Sequence, residues 1–219
     1  MNKAPIIGIC RLRINSDGQG ITTLVAFHSC PLKCKYCINP QALVDGHINY
    51  LSAEKIMNIL RKDELYFLAT KGGVTFGGGE PLLWAEFIKD ILDLGAKEWH
   101  VTIETSLNIQ RCKLELLLPY IDEYIVDIKD MNPIIYKAYT SKDNSLVIDN
   151  LNWLVSQKQS NKIICRIPLI EGYNTEEDRL ASRTKLLSMG IERFDMFSYT
   201  INTYILTESI ESNRINRHS

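Results

Sequence analysis

Three cysteines crowd one short stretch, Cys30-Pro31-Leu32-Lys33-Cys34-Lys35-Tyr36-Cys37, with the spacing C-x3-C-x2-C. Thiolates this close together select zinc or iron-sulfur chemistry. Three thiols cannot all be paired with one another, and a reducing compartment disfavours any bridge among them. The missing fourth ligand is what separates the two metals. A structural zinc site is closed by four protein ligands, whereas three thiolates on a 4Fe-4S cube leave one iron open to another molecule. A second stretch suited to ligand chemistry is Gly77-Gly78-Gly79-Glu80-Pro81, directly after the apolar run Val74-Thr75-Phe76. Glycines at a strand's end let a ligand approach bare backbone, and a carboxylate beside them can accept from an ammonium group. On its own, the glycine run also reads as a flexible turn.

The elements that must position these residues alternate along the chain. Residues 15 to 20 are turn-rich and feed Ile21–Phe27, a β-branched run that reads as a buried strand with the cysteine loop at its carboxyl end. Ser52 is an expected helix N-cap, with Glu54 in the first turn and Ile56, Ile59 and Leu60 on an apolar face continuing to about residue 68. Further strands are expected at 73–76, 101–103, 124–129, 163–170 and 194–199, separated by helices at 84–97, 114–118, 146–157 and 176–189. Six βα units with continuously apolar strands argue for a parallel sheet covered by helices, an α/β fold.

In such architectures sites form beyond the carboxyl ends of the strands. The polar residues at those ends therefore form a set: the three cysteines, then Gly78, Gly79 and Glu80, then Glu104, Thr105 and Ser106, then Asp127 and Lys129, and finally Arg166 with the loop 171–174. Asp127 and Lys129 stand two apart on one strand and so face the same side, either toward a ligand or as a simple inward ion pair. One-sided charges in an otherwise apolar parallel strand favour the ligand.

Composition bounds the rest. The chain has 219 residues, 45% apolar, with net charge -1. That balance offers no global attraction to nucleic acid or an anionic membrane. No run is long enough for a membrane span or a secretion signal, so a cytoplasmic protein is expected; a monomer is expected as well. Residues 1–14 read as a lead-in, 15–205 as the core domain and 206–219 as a polar tail. Cys10, Cys112 and Cys165 sit in or beside apolar runs and are expected to be buried structural thiols. His28 and His100 read as strand-boundary residues.

C-x3-C-x2-C with an aromatic residue before the last cysteine, followed one βα unit later by G-G-E-P, resembles the radical S-adenosylmethionine (radical SAM) superfamily. The resemblance implies an open partial (βα)6 barrel and one 4Fe-4S cluster on Cys30, Cys34 and Cys37. It also implies an open iron that chelates SAM, whose reductive cleavage gives a 5′-deoxyadenosyl radical for hydrogen abstraction. Gly78, Gly79 and Glu80 would bind the amino group of SAM.

Asp17-Gly18-Gln19-Gly20-Ile21 resembles the D-G-P-G entry of glycyl radical enzyme activases, with Gln19 in place of proline and Thr22 where arginine is common. Ile103-Glu104-Thr105-Ser106 is similar to their D-T-N-G segment and Asp127-Ile128-Lys129 to their D-L-K. By that likeness Lys129 would pair with the SAM carboxylate. Asp127 would bind a ribose hydroxyl, or a cation together with Glu104, and Arg166 would assist the methionyl end. Tyr36 would lie on or beside the adenine, or shield the cluster; Asn39 would contact the adenosine, or serve an Asn-Pro turn.

Two departures stand out. No cysteine falls between residues 38 and 72, so the second cluster of many activases is not expected; and no histidine stands near the end of the sixth strand, where Phe197-Ser198-Tyr199 occurs, so a hydroxyl does that work or adenosine is held differently. The implied activity is activation of a glycyl radical enzyme, with flavodoxin or ferredoxin as electron donor. Alternatives are a small-molecule or peptide substrate, as for 7-carboxy-7-deazaguanine synthases or peptide-maturing enzymes, and a metal-binding module without turnover.

Overall fold

The computed structural model of the chain describes residues 3–14, 16–44, 46 and 48–199. The expected tail at 206–219 lies outside them, as do residues 200–205 of the expected core domain.

Six strands run parallel, the first five mostly buried between covering layers and the last, at the sheet's edge, only partly covered. They are β2 (Ile21–Phe27), β4 (Gly73–Gly78), β5 (His100–Thr105), β6 (Glu123–Asp127), β7 (Ile163–Leu169) and β8 (Arg193–Ser198), each hydrogen-bonded to the next. Five of the six residues of β4 are buried, so no solvent face exists to give it an alternating pattern. Two further strands extend the β2 side. Residues expected as a lead-in form β1 (Lys3–Ile14), antiparallel to β2, and β3 (Asn49–Ser52) pairs with β1. The sheet order is β3-β1-β2-β4-β5-β6-β7-β8, open at β3 and β8.

Helices α1 (Ala53–Leu60), α2 (Glu64–Thr70), α3 (Ala85–Asp93), α4 (Arg111–Leu117), α5 (Pro133–Thr140), α6 (Ser145–Ser156) and α7 (Glu176–Ser188) fill the crossovers. The expected cap at Ser52 forms, accepting from the Lys55 amide at 3.4 Å. Thr175 and Asp178 close a capping box on α7. The α1 and α2 segments are separate, because a short 3-10 turn at Arg61–Asp63 breaks the helix expected to run to residue 68. Buried Asp63 there accepts from Arg11 on β1 through Nε (3.0 Å) and Nη2 (2.5 Å), and from the Thr23 hydroxyl on β2 at 2.7 Å.

The core runs the length of the sheet. Phe27 packs on Phe76 and Phe87 with ring centroids 6.1 and 6.3 Å apart, and Phe67 meets Trp99 edge-on at 5.2 Å. Each such ring contributes about 1.5–3 kcal/mol through burial. Cys165 is buried as expected. Cys10 and Cys112 are exposed, since Cys10 lies on the solvent-facing half of β1 and Cys112 in the first turn of α4. Among the described residues no helix is long and apolar enough to cross a membrane.

Candidate active site

The cysteine loop leaves β2 at Phe27 and is pinned from three directions. The Ser29 amide donates to the Ala42 carbonyl at 2.9 Å, the Lys33 and Lys35 amides donate to Thr140 and Tyr139 at the end of α5 at 2.9 and 3.2 Å, and Leu32 is driven into the core. The glycine turn closes against the same loop. Gly79 donates to the Phe27 carbonyl at 2.9 Å, Glu80 to the Ser29 carbonyl at 2.8 Å, and the Trp84 indole to the His28 carbonyl at 3.0 Å.

This contact explains the glycines. A Cβ on Gly79 would stand 2.2 Å from the Ser29 carbonyl oxygen, and Gly78 adopts φ +98°. Asn39 ties the two segments further, its side-chain amide donating to the Gly78 carbonyl at 2.9 Å. The side chain of Asn39 thus bridges loop to turn, with no cap on the 3-10 turn that follows it.

One open cleft lies at the carboxyl end of the sheet. Its walls include Cys30, Cys34 and Cys37, then Tyr36, Asn39, Gly78 and Gly79, and on the far side Glu104, Asp127, Lys129 and Arg166. Eleven of the twelve residues to which the resemblance gives a cluster or SAM role therefore meet in one place. Burial, with a contribution from the Glu80 charge, pushes the Cys30 thiol up to about 12, and burial raises Cys34 as well. Each would give up its proton as it takes a metal. Three thiolates can each take a different iron of a cube, so this donor set fits a cluster.

Glu80 is the exception. Its carboxylate was expected to meet an ammonium group, but the residue is wholly buried and absent from the cleft wall. It accepts from the Leu82 amide (3.3 Å), the Thr105 hydroxyl (2.7 Å), and the Ser106 amide and hydroxyl (2.9 and 2.7 Å). Burial raises its pKa against those four donors. The side chain fastens the β4 turn to the end of β5.

The charges opposite the cysteines pair among themselves. Lys129, at φ +57° just past β6, donates to Asp127 at 3.0 Å and to the Tyr199 hydroxyl at 3.3 Å. Burial pulls its ammonium down, but Asp127 and Tyr199 more than offset it and the net shift is upward. Arg166 holds Glu104 at 2.7 Å, Asp195 at 3.3 Å and the Ser16 carbonyl at 3.1 Å. Burial raises Glu104, with Arg166 opposing. The ion pair between Asp127 and Lys129 and their placement on the cleft are both present.

The Radical SAM superfamily profile matches residues 24–183. The chain belongs to the radical SAM superfamily. It is similar to the (2S)-3-sulfopropanediol dehydratase activating enzyme of Klebsiella oxytoca, 30% identical over 241 aligned positions covering 80% of this chain and 75% of that protein. It is also similar to the pyruvate formate-lyase 2-activating enzyme of Escherichia coli K12, 29% identical over 217 positions covering 84% and 73%. Among solved structures, Streptococcus suis SuiB bound to its precursor peptide SuiA superposes with TM-score 0.63 at 17% identity, covering 95% of this chain and 47% of that one. That likeness is of fold alone. The chain spans about three quarters of the two activating enzymes and less than half of SuiB. As a radical SAM protein it uses a 4Fe-4S cluster and SAM.

Four tyrosines pack together at the cleft's edge, Tyr36 and Tyr199 lining it. Tyr36 meets Tyr139 and Tyr173 edge-on, with centroids 6.1 and 5.8 Å apart, and Tyr139 lies 6.5 Å from Tyr199. Tyr36 thus both lines the cleft and belongs to an aromatic wall beside the thiols. Asp195, Tyr139 and Tyr199 carried no motif; only the position of Tyr199 at the sixth strand's end, where a hydroxyl was sought, pointed to it. In the D-G-x-G loop Asp17 is the buried anchor, its carbonyl accepting from the Thr75 hydroxyl at 2.7 Å, while Gln19 is exposed.

Proposed function

We propose that this chain activates a glycyl radical enzyme, abstracting hydrogen from a glycine of that partner. The observation that carries the reading is the open cleft shared by three thiols, a glycine turn and the Lys129 and Arg166 cations. Similarity to activating enzymes across most of the chain supports it. When bound to Cys30, Cys34 and Cys37, a reduced 4Fe-4S cluster supplies the electron that splits SAM into methionine and the 5′-deoxyadenosyl radical.

The protein's own groups hold and orient. Lys129 offers a buried ammonium to the SAM carboxylate, and Arg166 stands by the methionyl end. The backbone at Gly78 and Gly79 admits the amino group without side-chain obstruction. Glu104 and Asp127 face the ribose or a cation, while Tyr36 and Asn39 edge the adenosine. The Tyr199 hydroxyl, beside Lys129, takes the place of the absent histidine. The strong charge pairing keeps these groups in position before the ligand arrives. A flavodoxin or ferredoxin is the proposed donor, in the cytoplasm.

Anaerobic reconstitution with iron, sulfide, SAM and a reductant tests the reading. It predicts 5′-deoxyadenosine, and a glycyl radical signal by electron paramagnetic resonance on the co-incubated partner. Formation of 5′-deoxyadenosine with no such signal on any glycyl radical enzyme tried would turn the assignment toward a small molecule or peptide.

A further inference from the structure

The cysteine loop has two open sides. On the inner side Cys30 and Cys34 line the cleft with Gly78, Lys129 and Arg166. On the outer side the same two cysteines wall a separate groove with His28, Ser29, Lys33, Ala42 and Leu43.

The rim beside that groove is basic. The amides of Lys33 and Lys35 bond to Thr140 and Tyr139, and the Lys142 amide bonds to the Thr140 hydroxyl at 3.2 Å. These contacts gather Lys33, Lys35 and Lys142 with Lys137, one turn back on α5, and all four are exposed. Among the described residues only Lys137 has a carboxylate within ion-pair distance, Asp143 at 3.4 Å. In a chain of net charge -1 this is a local concentration of positive charge. Such patches steer and orient oppositely charged partners.

We infer that the outer groove and its lysine rim dock an acidic one-electron carrier protein; the inference rests on the cluster reading of the thiols. Each SAM cleaved consumes one electron. It enters the sulfonium, the bond between sulfur and the 5′ carbon breaks, methionine and the carbon radical separate, and the carrier is left oxidised by one electron. The inner cleft is filled by SAM and the hydrogen donor at that moment, so the electron needs another face. The groove is where thiols of the same set are reachable from outside that cleft.

The test uses cluster-loaded protein, with reduced flavodoxin as the probe and dithionite as a small reductant. A Lys137→Glu, Lys142→Glu variant is expected to bind flavodoxin about tenfold more weakly at low salt and with a shallower salt dependence. Flavodoxin-driven SAM cleavage should fall in step, while dithionite-driven cleavage stays at the wild-type rate. Lys137→Gln with Lys142→Gln, which leaves the cysteine loop untouched, should show the same effect at smaller size. Unchanged flavodoxin affinity, or a parallel fall with dithionite, overturns the inference. So does a variant that keeps flavodoxin but loses the glycyl radical partner, since the groove then belongs to the polypeptide substrate. Wild-type protein inert with dithionite would instead count against the cluster reading itself.

Discussion

The role of Glu80 gives the sharpest stability prediction. Alanine at this position removes an acceptor from four donors at once: the Leu82 amide, the Thr105 hydroxyl, and the amide and hydroxyl of Ser106. A buried donor left without a partner costs about 1–3 kcal/mol. The sum overstates the loss, because alanine also removes a carboxylate whose own burial is unfavourable, as the upward direction of its pKa records. The net destabilisation is about 4 kcal/mol. For a chain of this size that lowers the melting temperature by about 8–16 °C.

Thermal unfolding of metal-free Glu80→Ala followed by circular dichroism measures it, and Glu80→Gln, which keeps one acceptor oxygen, should fall between wild type and alanine. SAM affinity of Glu80→Gln should follow its stability. If Glu80→Ala melted within about 2 °C of wild type yet lost SAM binding, the carboxylate would be a ligand in the cleft and the reasoning would fail.

Gly79→Ala should displace the cysteine loop, since its Cβ meets the Ser29 carbonyl at 2.2 Å; a cost of about 3 kcal/mol and reduced iron loading are expected by denaturation and iron assay. Asp63→Asn should cost about 2 kcal/mol by urea denaturation. Burial would raise the Asp63 carboxyl, but Arg11 and Thr23 outweigh it and hold it below the usual range. Its contribution is therefore complete above about pH 4 and lost as pH falls further, so the variant's stability should vary less with pH in that acid window than wild type's. Lys129→Met should raise the Kd for SAM by about tenfold or more, and Tyr199→Phe by about fivefold, measured by calorimetry on reconstituted protein.

Five of the parallel strands were legible because they are mostly apolar on both faces, β8 at the edge less so, and the candidate site was legible because its residues recur at strand ends. Cys30, Gly78, Lys129 and Arg166 could be grouped before any distance was known. Strand β1 was not legible: Ala4, Pro5 and Ile6 are buried while Arg11 and Arg13 are not, so no single period runs through it. Helix α5 begins with Asn132 capping the Ile134 amide and Pro133 at its first position. That signal is present in the sequence, but the helix is short and follows β6 after only a few residues. The misplacement of Glu80 has a different origin. A motif names a residue but not its rotamer, and only the presence of Thr105 and Ser106 across from it turns the carboxylate inward. Tyr199 and Asp195 contact Lys129 and Arg166, partners distant in sequence, and pairings of that kind have no local pattern.

The central claim is that Cys30, Cys34 and Cys37 together hold a cube with one open iron. The direct measurement is metal and sulfide content after anaerobic reconstitution, followed by the electron paramagnetic resonance spectrum of the reduced protein with and without SAM. About four irons and four sulfides per chain, with a spectrum that shifts on adding SAM, are predicted. A single tightly held zinc per chain, or a cluster whose spectrum is indifferent to SAM, would contradict the account.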